Sequence, residues 1–350
     1  MTELTKMHSA ASCRSLADEF CSDDFEIVSC IGIGAFGRVV LCRHTRLNLP
    51  FALKQIARVR RAKRSRKDEI EIMQQLRHPA IAHIEGRFEC NGKMYLVLPY
   101  YQGGDLLSRL IDCTKMSMKE SKFYLASVHL ALSHIHRLGI MYRDLKLENI
   151  MLSKNGSVKL IDFGLAKRVT NANQRSYTIC GTVEYMSPEM LMSSGYTSCN
   201  DLWALGVLFH EFVTGKPPFG DRRSATYQDV YEEIIYYYTR RKQMELDDTH
   251  RVHSQTTRRL VSYFLPYFNM SNDDDIAADL LLQLLSPIAT MRPKNAMFRS
   301  HDLFRDYDWG LLERGGVKPP YQPSLNSDFD TRYFDDFPDS EHEISNFFTN

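Results

Sequence analysis

The chain has no long apolar run. Its most apolar stretch, Leu202 to Phe209, is far shorter than the roughly 20 residues that a bilayer-spanning helix needs. The N-terminus has no apolar signal region, and threonine at position 2 excludes N-myristoylation. We therefore expect a soluble protein without stable membrane insertion.

The chain also lacks closely spaced cysteines and a large net charge. The eight cysteines are scattered, without the close spacing of a zinc site or a redox pair. The formal net charge is +1, so no overall field draws the chain to nucleic acid, and we expect no nucleic-acid partner. With 43% hydrophobic and 25% charged residues, the 350-residue chain is an ordinary globular protein, long enough for two lobes.

A glycine-rich turn, Gly32-Ile33-Gly34-Ala35-Phe36-Gly37, lies between two predicted strands, Phe25 to Val28 and Arg38 to Cys42. A dinucleotide-binding turn leads from a strand into a helix, so the order strand, turn, strand disfavours that function. Glycines let backbone N–H groups approach phosphate oxygens closely. Taken alone, the motif is equally compatible with a plain hairpin.

The pattern then changes from strands to helices. Residues 1 to 24 are polar and predict a flexible leader. A third strand carries Lys54, and a basic stretch from Arg58 to Lys67 leads into a helix. The apolar face of that helix comprises Ile70, Met73 and Leu76. Later, an apolar stripe predicts a second helix: Tyr124, Val128, Ala131, Ile135 and Leu138. Leu202 to Phe209 is apolar on every side and predicts a buried helix.

Three further motifs follow in order: Tyr142-Arg143-Asp144-Leu145-Lys146-Leu147-Glu148-Asn149, Asp162-Phe163-Gly164 and Ser187-Pro188-Glu189. Together with the glycine-rich turn and Phe51-Ala52-Leu53-Lys54, they resemble the protein-kinase signature set. In having lysine at position 146, the chain resembles the serine/threonine kinases. Tyr142-Arg143-Asp144 and the segment Cys180 to Tyr185 are similar to the AGC group, above all to the cAMP-dependent protein kinases.

The resemblance implies an α+β, bilobal protein-kinase fold. A small antiparallel β-sheet lobe with one main helix spans 25–98, a linker spans 99–104, and a mostly helical large lobe spans 105–301. A C-terminal tail, 302–350, wraps both lobes, although Phe347-Phe348 lacks the spacing of the family's hydrophobic motif. An insert at about 236–270 exceeds the family pattern and is either a partner-docking surface or a loop without a role.

The resemblance also assigns catalytic roles. Asp144 accepts or orients the proton of the substrate hydroxyl, and Lys146 neutralises the γ-phosphate. Thr182 is a further expected catalytic residue, and its segment also fits the serine/threonine kinases. Lys54 contacts the α- and β-phosphates and pairs with Glu69, for which Glu71 is the alternative. Two residues supply oxygen ligands to Mg²⁺: Asn149 and Asp162.

A larger set is expected to bind ATP: Ile31, Gly32, Gly34, Phe36, Gly37, Val39, Ala52, Lys54, Leu98, Pro99, Tyr101, Asp105, Glu148 and Phe334. Pro99 replaces the usual acidic residue. Its missing N–H is not needed for adenine recognition, while its carbonyl can still accept a hydrogen bond.

Substrate and regulatory residues follow from the same resemblance. Three carboxylates are expected to bind arginines two and three residues before the phosphorylated Ser/Thr: Asp105, Glu148 and Glu211. A pocket for an apolar residue just after it comprises Ile179, Val183 and Met186. Thr178 is the expected phosphosite, with Arg143 and Lys167 as its basic partners.

We therefore expect a serine/threonine kinase that uses ATP and Mg²⁺ and is cytoplasmic or nuclear. Its expected partners are basic protein substrates, an upstream activating kinase and a cAMP-binding regulatory subunit. The alternative is a pseudokinase that acts as a nucleotide-binding scaffold. Lys54, Asp144, Asn149 and Asp162 are all present, which favours the active enzyme.

Overall fold

The structure is a computed structural model that describes residues 20–34, 37–56, 63–171, 173–220, 225–247, 272–337 and 347–348. The chain divides into two compact units. The small unit comprises Met1–Lys67, Ala82–Gln102 and Leu325–Asn350, and the large unit comprises Asp68–Ile81 and Gly103–Ser324. The C-terminal tail therefore contributes to both.

The small unit is built on a five-stranded antiparallel sheet in the order β1-β2-β3-β5-β4. Its strands are β1 (Phe25–Gly34), β2 (Gly37–His44), β3 (Pro50–Ile56), β4 (Gly86–Cys90) and β5 (Lys93–Pro99). Alternate residues of neighbouring strands face one core, as the two-residue repeat of a strand requires. Its buried members are Phe25, Val40, Cys42, Phe51, Leu53, Phe88, Tyr95, Val97 and Phe347.

The glycine-rich turn joins β1 to β2, as predicted. Gly34 pairs with Gly37 at the end of the ladder. Gly37 has φ +137°, a backbone conformation that residues with a side chain rarely adopt. Ala35 and Phe36 lie outside the described residues.

Residues 20 to 24, which were expected to belong to the flexible leader, are folded. Phe20 packs against the sheet core, 5.6 Å from Phe25 between ring centroids. A short 3-10 turn covers Ser22–Asp24, and the buried carboxylate of Asp24 accepts a hydrogen bond from Arg46 at 2.8 Å. Residues 20 to 24 thus belong to the folded small unit.

The described helices of the chain are α1 (Lys63–Gln75), α2 (Leu106–Cys113), α3 (Met118–Arg137), α4 (Pro188–Leu191), α5 (Cys199–Thr214), α6 (Tyr227–Asp247), α7 (Asn272–Leu284), α8 (Asn295–Arg299) and α9 (Trp309–Glu313). Two short antiparallel pairs complete the large unit: β6 (Ile140–Met141) with β9 (Lys167–Arg168), and β7 (Ile150–Leu152) with β8 (Val158–Leu160). Within these described elements, no helix is both long and apolar enough to cross a bilayer.

The predicted helix faces agree with the structure except at one residue. Ile70, Met73 and Leu76 are buried, and Leu202 to Phe209 is buried throughout α5. On α3 the stripe is buried as far as Ile135, but Leu138 is 43% exposed because it caps the helix instead of continuing it. The prediction for Leu138 was therefore wrong.

The expected insert begins as part of a helix. Helix α6 runs from Tyr227 to Asp247, and Tyr237 packs against Trp203 and Phe219. The buried guanidinium of Arg241 donates to the Tyr237 hydroxyl at 2.6 Å. Residues 248–271 lie outside the described residues.

The tail packs on both units separately. In the large unit, the guanidinium of Arg109 lies 3.8 Å from the ring centroid of Tyr321. In the small unit, Phe347 is 4% exposed within the sheet core, and its carbonyl accepts from the Tyr95 hydroxyl at 2.8 Å. Phe347-Phe348 therefore packs on the sheet despite its unusual spacing.

Candidate active site

Asp144 and its neighbours lie in a loop between β6 and β7. The side-chain amide of Asn149 donates to both the carbonyl and the carboxylate of Asp144, each at 2.8 Å. Lys146 Nζ lies 3.8 Å from Asp144 Oδ2 and donates to Thr182 Oγ1 at 3.1 Å. The large unit thus brings four of the predicted residues together: Asn149 and Lys146 lie at the Asp144 carboxylate, and Thr182 contacts Lys146.

A buried acid that sequence reasoning missed holds this loop. The carboxylate of Asp201, on α5, accepts from the backbone N–H of Tyr142 at 3.0 Å and of Arg143 at 2.8 Å. It also contacts His136 Nε2 at 2.7 Å. Arg143 has φ +70°, a strained conformation that these bonds support. A single aspartate beside the apolar run of α5 was the signal that could have revealed it.

Asp162 begins a tight turn in the same unit. Its φ is +56°, and its Oδ1 accepts from the Gly164 N–H at 3.1 Å. The next residue, Phe163, is fully buried against Tyr142, with ring centroids 5.2 Å apart. The carboxylate is therefore fixed by its own turn and by the side chain that follows it.

Glu69 lies beside that turn. It is buried, and a Cβ atom added to Gly164 would lie 3.8 Å from Glu69 Oε2. Glu71 is exposed. The burial of Glu69 and the exposure of Glu71 are consistent with Glu69 as the partner of Lys54, which stays a prediction.

Opposing electrostatic effects act on the pKa of the Asp144 carboxyl. Burial raises the pKa of Asp144 above its ordinary value, against the charge of Lys146 and the Asn149 hydrogen bond, which lower it. The charges of Asp162 and Glu148 add to the rise. A carboxyl whose pKa is moved upward in this way is typical of functional sites.

The donor set fits Mg²⁺ carried by a nucleotide. Asn149 uses its amide nitrogen on Asp144, which leaves its carbonyl oxygen as the atom for a cation. Asp162 adds a carboxylate, and both are hard oxygen ligands. In the part of the chain that the structure describes, no cluster of three His, Cys, Asp or Glu residues could hold a metal alone.

The residues of the small unit that are expected to bind the nucleotide lie on adjacent strands. Lys54, on β3, pairs with Val39 of β2 and Leu96 of β5. Leu98 and Pro99 end β5, with Leu98 opposite Ala52. Phe334 of the tail stacks on Tyr100, at 5.4 Å between ring centroids, and the Tyr100 hydroxyl donates to the carbonyl of Asp330 at 2.7 Å.

The expected substrate residues differ in exposure. Asp105 is half-buried and caps α2 by accepting from Ser108 N at 2.7 Å. Glu148 is also half-buried, whereas Glu211 is fully buried and accepts from the Tyr185 hydroxyl. In the expected apolar pocket Ile179 is 46% exposed, Val183 is half-buried and Met186 is buried.

The activation segment shows an unexpected pairing. Arg143 and Lys167, expected to bind a phosphate on Thr178, both contact the hydroxyl of Ser176. Ser176 is buried, while Thr178 is exposed. Thr178 is accessible to a modifying enzyme and stays a predicted phosphosite.

Comparison with known proteins agrees with this geometry. The family model described as protein kinase domain matches residues 25–304. The chain belongs to the protein kinase family. The cAMP-dependent protein kinase catalytic subunit 3 of Drosophila melanogaster is 33% identical over 328 residues, covering 91% of this chain and 50% of that protein. Ribosomal protein S6 kinase 2 beta of Xenopus laevis is 33% identical over 331 residues, covering 91% and 48%.

A human relative, ribosomal protein S6 kinase alpha-2, is 32% identical over 327 residues, covering 89% of this chain and 40% of that protein. The chain thus spans half or less of the length of these three relatives. Their similarity identifies an AGC-like kinase domain, as the sequence motifs predicted.

Proposed function

We propose that this kinase transfers the γ-phosphate of Mg-ATP to serine and threonine hydroxyls of proteins. Asp144 accepts or orients the hydroxyl proton, and Lys146 neutralises negative charge on the transferring group. Thr182, bonded to Lys146, holds that ammonium beside Asp144. Positioning and charge stabilisation supply most of the catalysis in such a reaction.

The arrangement of Asp144 carries the proposal. Its carboxylate is fixed by Asn149, lies 3.8 Å from the Lys146 ammonium and has a raised pKa. A scaffold that only binds nucleotide has no need of a positioned base, so this arrangement supports the active enzyme over the pseudokinase.

Bound Mg²⁺ would neutralise phosphate charge, with Asn149 and Asp162 as its protein ligands. Lys54 would hold the α- and β-phosphates. The remaining nucleotide residues would bind the base and ribose through backbone groups and apolar side chains.

We propose a preference for arginine two and three residues before the phosphorylated residue, and for an apolar residue just after it. Asp105 and Glu148 are half-buried carboxylates in the large unit, which suits a bidentate contact with a guanidinium. The exposed side chain of Ile179 supports the apolar preference. Glu211 is buried and accepts a hydrogen bond from the Tyr185 hydroxyl. We therefore expect Glu211 to contact substrate only if Tyr185 moves.

A positional-scanning peptide library with radiolabelled Mg-ATP tests this function. We expect selection for arginine before Ser/Thr, and a weaker selection in Glu148→Gln. The control is Glu184→Gln. Glu184 follows Val183 of the expected apolar pocket, but Glu184 itself has no assigned role. Equal arginine selection in Glu148→Gln and wild type would contradict the substrate assignment, and no transfer from bound ATP would favour the pseudokinase.

We propose two regulatory partners for this kinase. The Drosophila relative is named as the catalytic subunit of a cAMP-dependent kinase, so a cAMP-binding regulatory subunit is a candidate partner here. The exposure of Thr178 supports an upstream kinase as a second candidate partner.

A further inference from the structure

Ser176 occupies the position between two basic side chains. Its hydroxyl accepts from Lys167 Nζ at 3.1 Å and from Arg143 Nη1 at 3.4 Å. The residue is 1% exposed. Arg143 and Lys167 were expected to bind a phosphate on Thr178. They donate instead to the neutral hydroxyl of Ser176.

Tyr196 holds the same segment from the other side. Its backbone forms a two-way bridge with Ser176, with N–H to oxygen distances of 2.8 and 2.9 Å. Its hydroxyl donates to the carbonyl of Thr178 at 2.6 Å and accepts from Arg143 Nη1 at 3.1 Å. Burial raises the pKa of Tyr196, so the phenol stays a donor at neutral pH.

Arg143 connects this segment to the catalytic loop. Its Nε donates to the carbonyl of Leu165 at 2.7 Å, and it directly precedes Asp144 in the chain. Gly181 packs against it so closely that an added Cβ would lie 2.8 Å from the Arg143 carbonyl. The next residue, Thr182, bonds Lys146. A displacement of residues 176–182 would therefore reach both Asp144 and Lys146.

We propose that Tyr196 is a positioning residue for phosphoryl transfer: together with Ser176, it ties residues 176–182 to Arg143 by hydrogen bonds that need no phosphate on Thr178. The segment so held includes Ile179, part of the surface expected to receive the substrate. Tyr196 touches neither the reacting atoms nor the nucleotide residues named above, and acts through Arg143 and the Thr178 carbonyl. The kinetic consequence rests on the proposed function, but the conformational consequence does not.

The first test is hydrogen exchange of the full chain, dephosphorylated at Thr178 and verified by intact mass. Tyr196→Phe removes only the hydroxyl, and we expect amides of residues 176–182 to exchange about fivefold faster, because the segment loses the hydrogen bond to the Thr178 carbonyl and the one from Arg143. Helix α5 should exchange at the wild-type rate, which shows that the fold is intact. Unchanged exchange in 176–182 would overturn the proposal.

Tyr177→Phe is the matched control. Tyr177 lies in the same segment and is 64% exposed, so deletion of its hydroxyl removes no buried contact. We expect wild-type exchange and wild-type activity from this variant. Equal acceleration by Tyr177→Phe and Tyr196→Phe would also overturn the proposal, because it would remove the special role of Tyr196.

The second test is kinetic. We expect Tyr196→Phe to lower kcat/KM for peptide about fivefold to tenfold while the Kd for ATP stays constant. A general loss of structure would weaken both. Ser176→Ala should act similarly, and the double variant should lose less than the product of the single losses, because both act through Arg143.

The outcomes separate the two proposals. Transfer by wild type with no loss in Tyr196→Phe would overturn the positioning role and leave the proposed function intact. No transfer by wild type would contradict the proposed function and, with it, the kinetic role of Tyr196. In that case, faster exchange in Tyr196→Phe would support the phosphate-independent attachment alone.

Discussion

The side-chain amide of Asn149 donates two hydrogen bonds to Asp144, one to its carbonyl and one to its carboxylate, each 2.8 Å long. One residue thus fixes the orientation of the expected base, while its amide oxygen is the atom assigned to Mg²⁺. The expected metal ligand and the expected base are coupled directly, and a change at either residue should alter the other.

Asn149→Asp tests that coupling. The new side chain keeps an oxygen ligand but removes the donor and adds a negative charge beside Asp144. Both changes raise the pKa of Asp144, so the low-pH limb of the kcat/KM profile should move to higher pH, measured from roughly pH 5 to pH 8. The control Asn155→Asp, on the exposed β7–β8 turn, should keep the wild-type limb. A limb that stays in place in Asn149→Asp would contradict the coupling.

Glu69→Gln should lower kcat on the order of 10- to 100-fold, because the carboxylate expected to orient Lys54 loses its charge. Glu71→Gln is the matched control, since Glu71 is exposed two residues away on the same helix. Steady-state kinetics with saturating ATP measure both. Equal losses in the two variants would contradict the choice of Glu69.

The carboxylate of Glu189 lies 2.6 Å from the buried guanidinium of Arg292. Glu189→Gln should destabilise the large unit by about 3–5 kcal/mol, because it leaves that guanidinium without its charged partner. Burial opposes ionisation of Glu189, but the charge and hydrogen bonds of Arg292 outweigh it and place the pKa below the ordinary 4.5. The pair therefore stabilises the fold above that value and ceases to do so as the pH falls through the lower, folded-state pKa.

Urea unfolding near neutral pH measures this loss. Asp302→Asn is its control, since it breaks an exposed ion pair with Arg305 and should leave the midpoint unchanged. A Glu189→Gln protein as stable as Asp302→Asn would show that the buried pair is not needed for stability.

His78 should make the fold sensitive to mild acid. Burial, followed by the charges of His134, Lys159 and Arg137, lowers its pKa from 6.5 to about 4. Between those values the unfolded chain binds a proton that the folded chain rejects, so stability falls as the pH falls. His78→Asn keeps an acceptor for the Ala80 N–H and should flatten the dependence of Tm on pH in this window. An unchanged slope would exclude His78 as its source.

Local patterns predicted much of the fold and of the site. The catalytic loop was predictable because Asp144, Lys146 and Asn149 are contiguous, so their spacing fixes their grouping. The buried face of α1 followed from apolar periodicity, and the burial of α5 followed from a run that is apolar on every side. Leu138 was misplaced because periodicity does not show where a helix ends, and α3 ends at Arg137 with Leu138 as its C-cap.

Several contacts between distant residues were not predictable. Asp201 bonds a loop 58 residues before it, and the partner of Arg143 depends on the path of the activation segment. Two hydroxyl residues, Ser176 and Thr178, were available to the same cations, and sequence alone gave no means to choose between them. Phe347 reaches the sheet core although its spacing from Phe334 does not predict it.

The most direct test of the account compares wild type with Asp144→Ala for radiolabelled phosphate transfer and for ATP binding by calorimetry. The account predicts transfer by wild type, a loss of at least about 100-fold in Asp144→Ala, and an ATP Kd that changes by less than about twofold. Retained transfer in Asp144→Ala would contradict the role of the carboxylate. A wild-type protein that binds Mg-ATP and transfers nothing would contradict the enzyme itself.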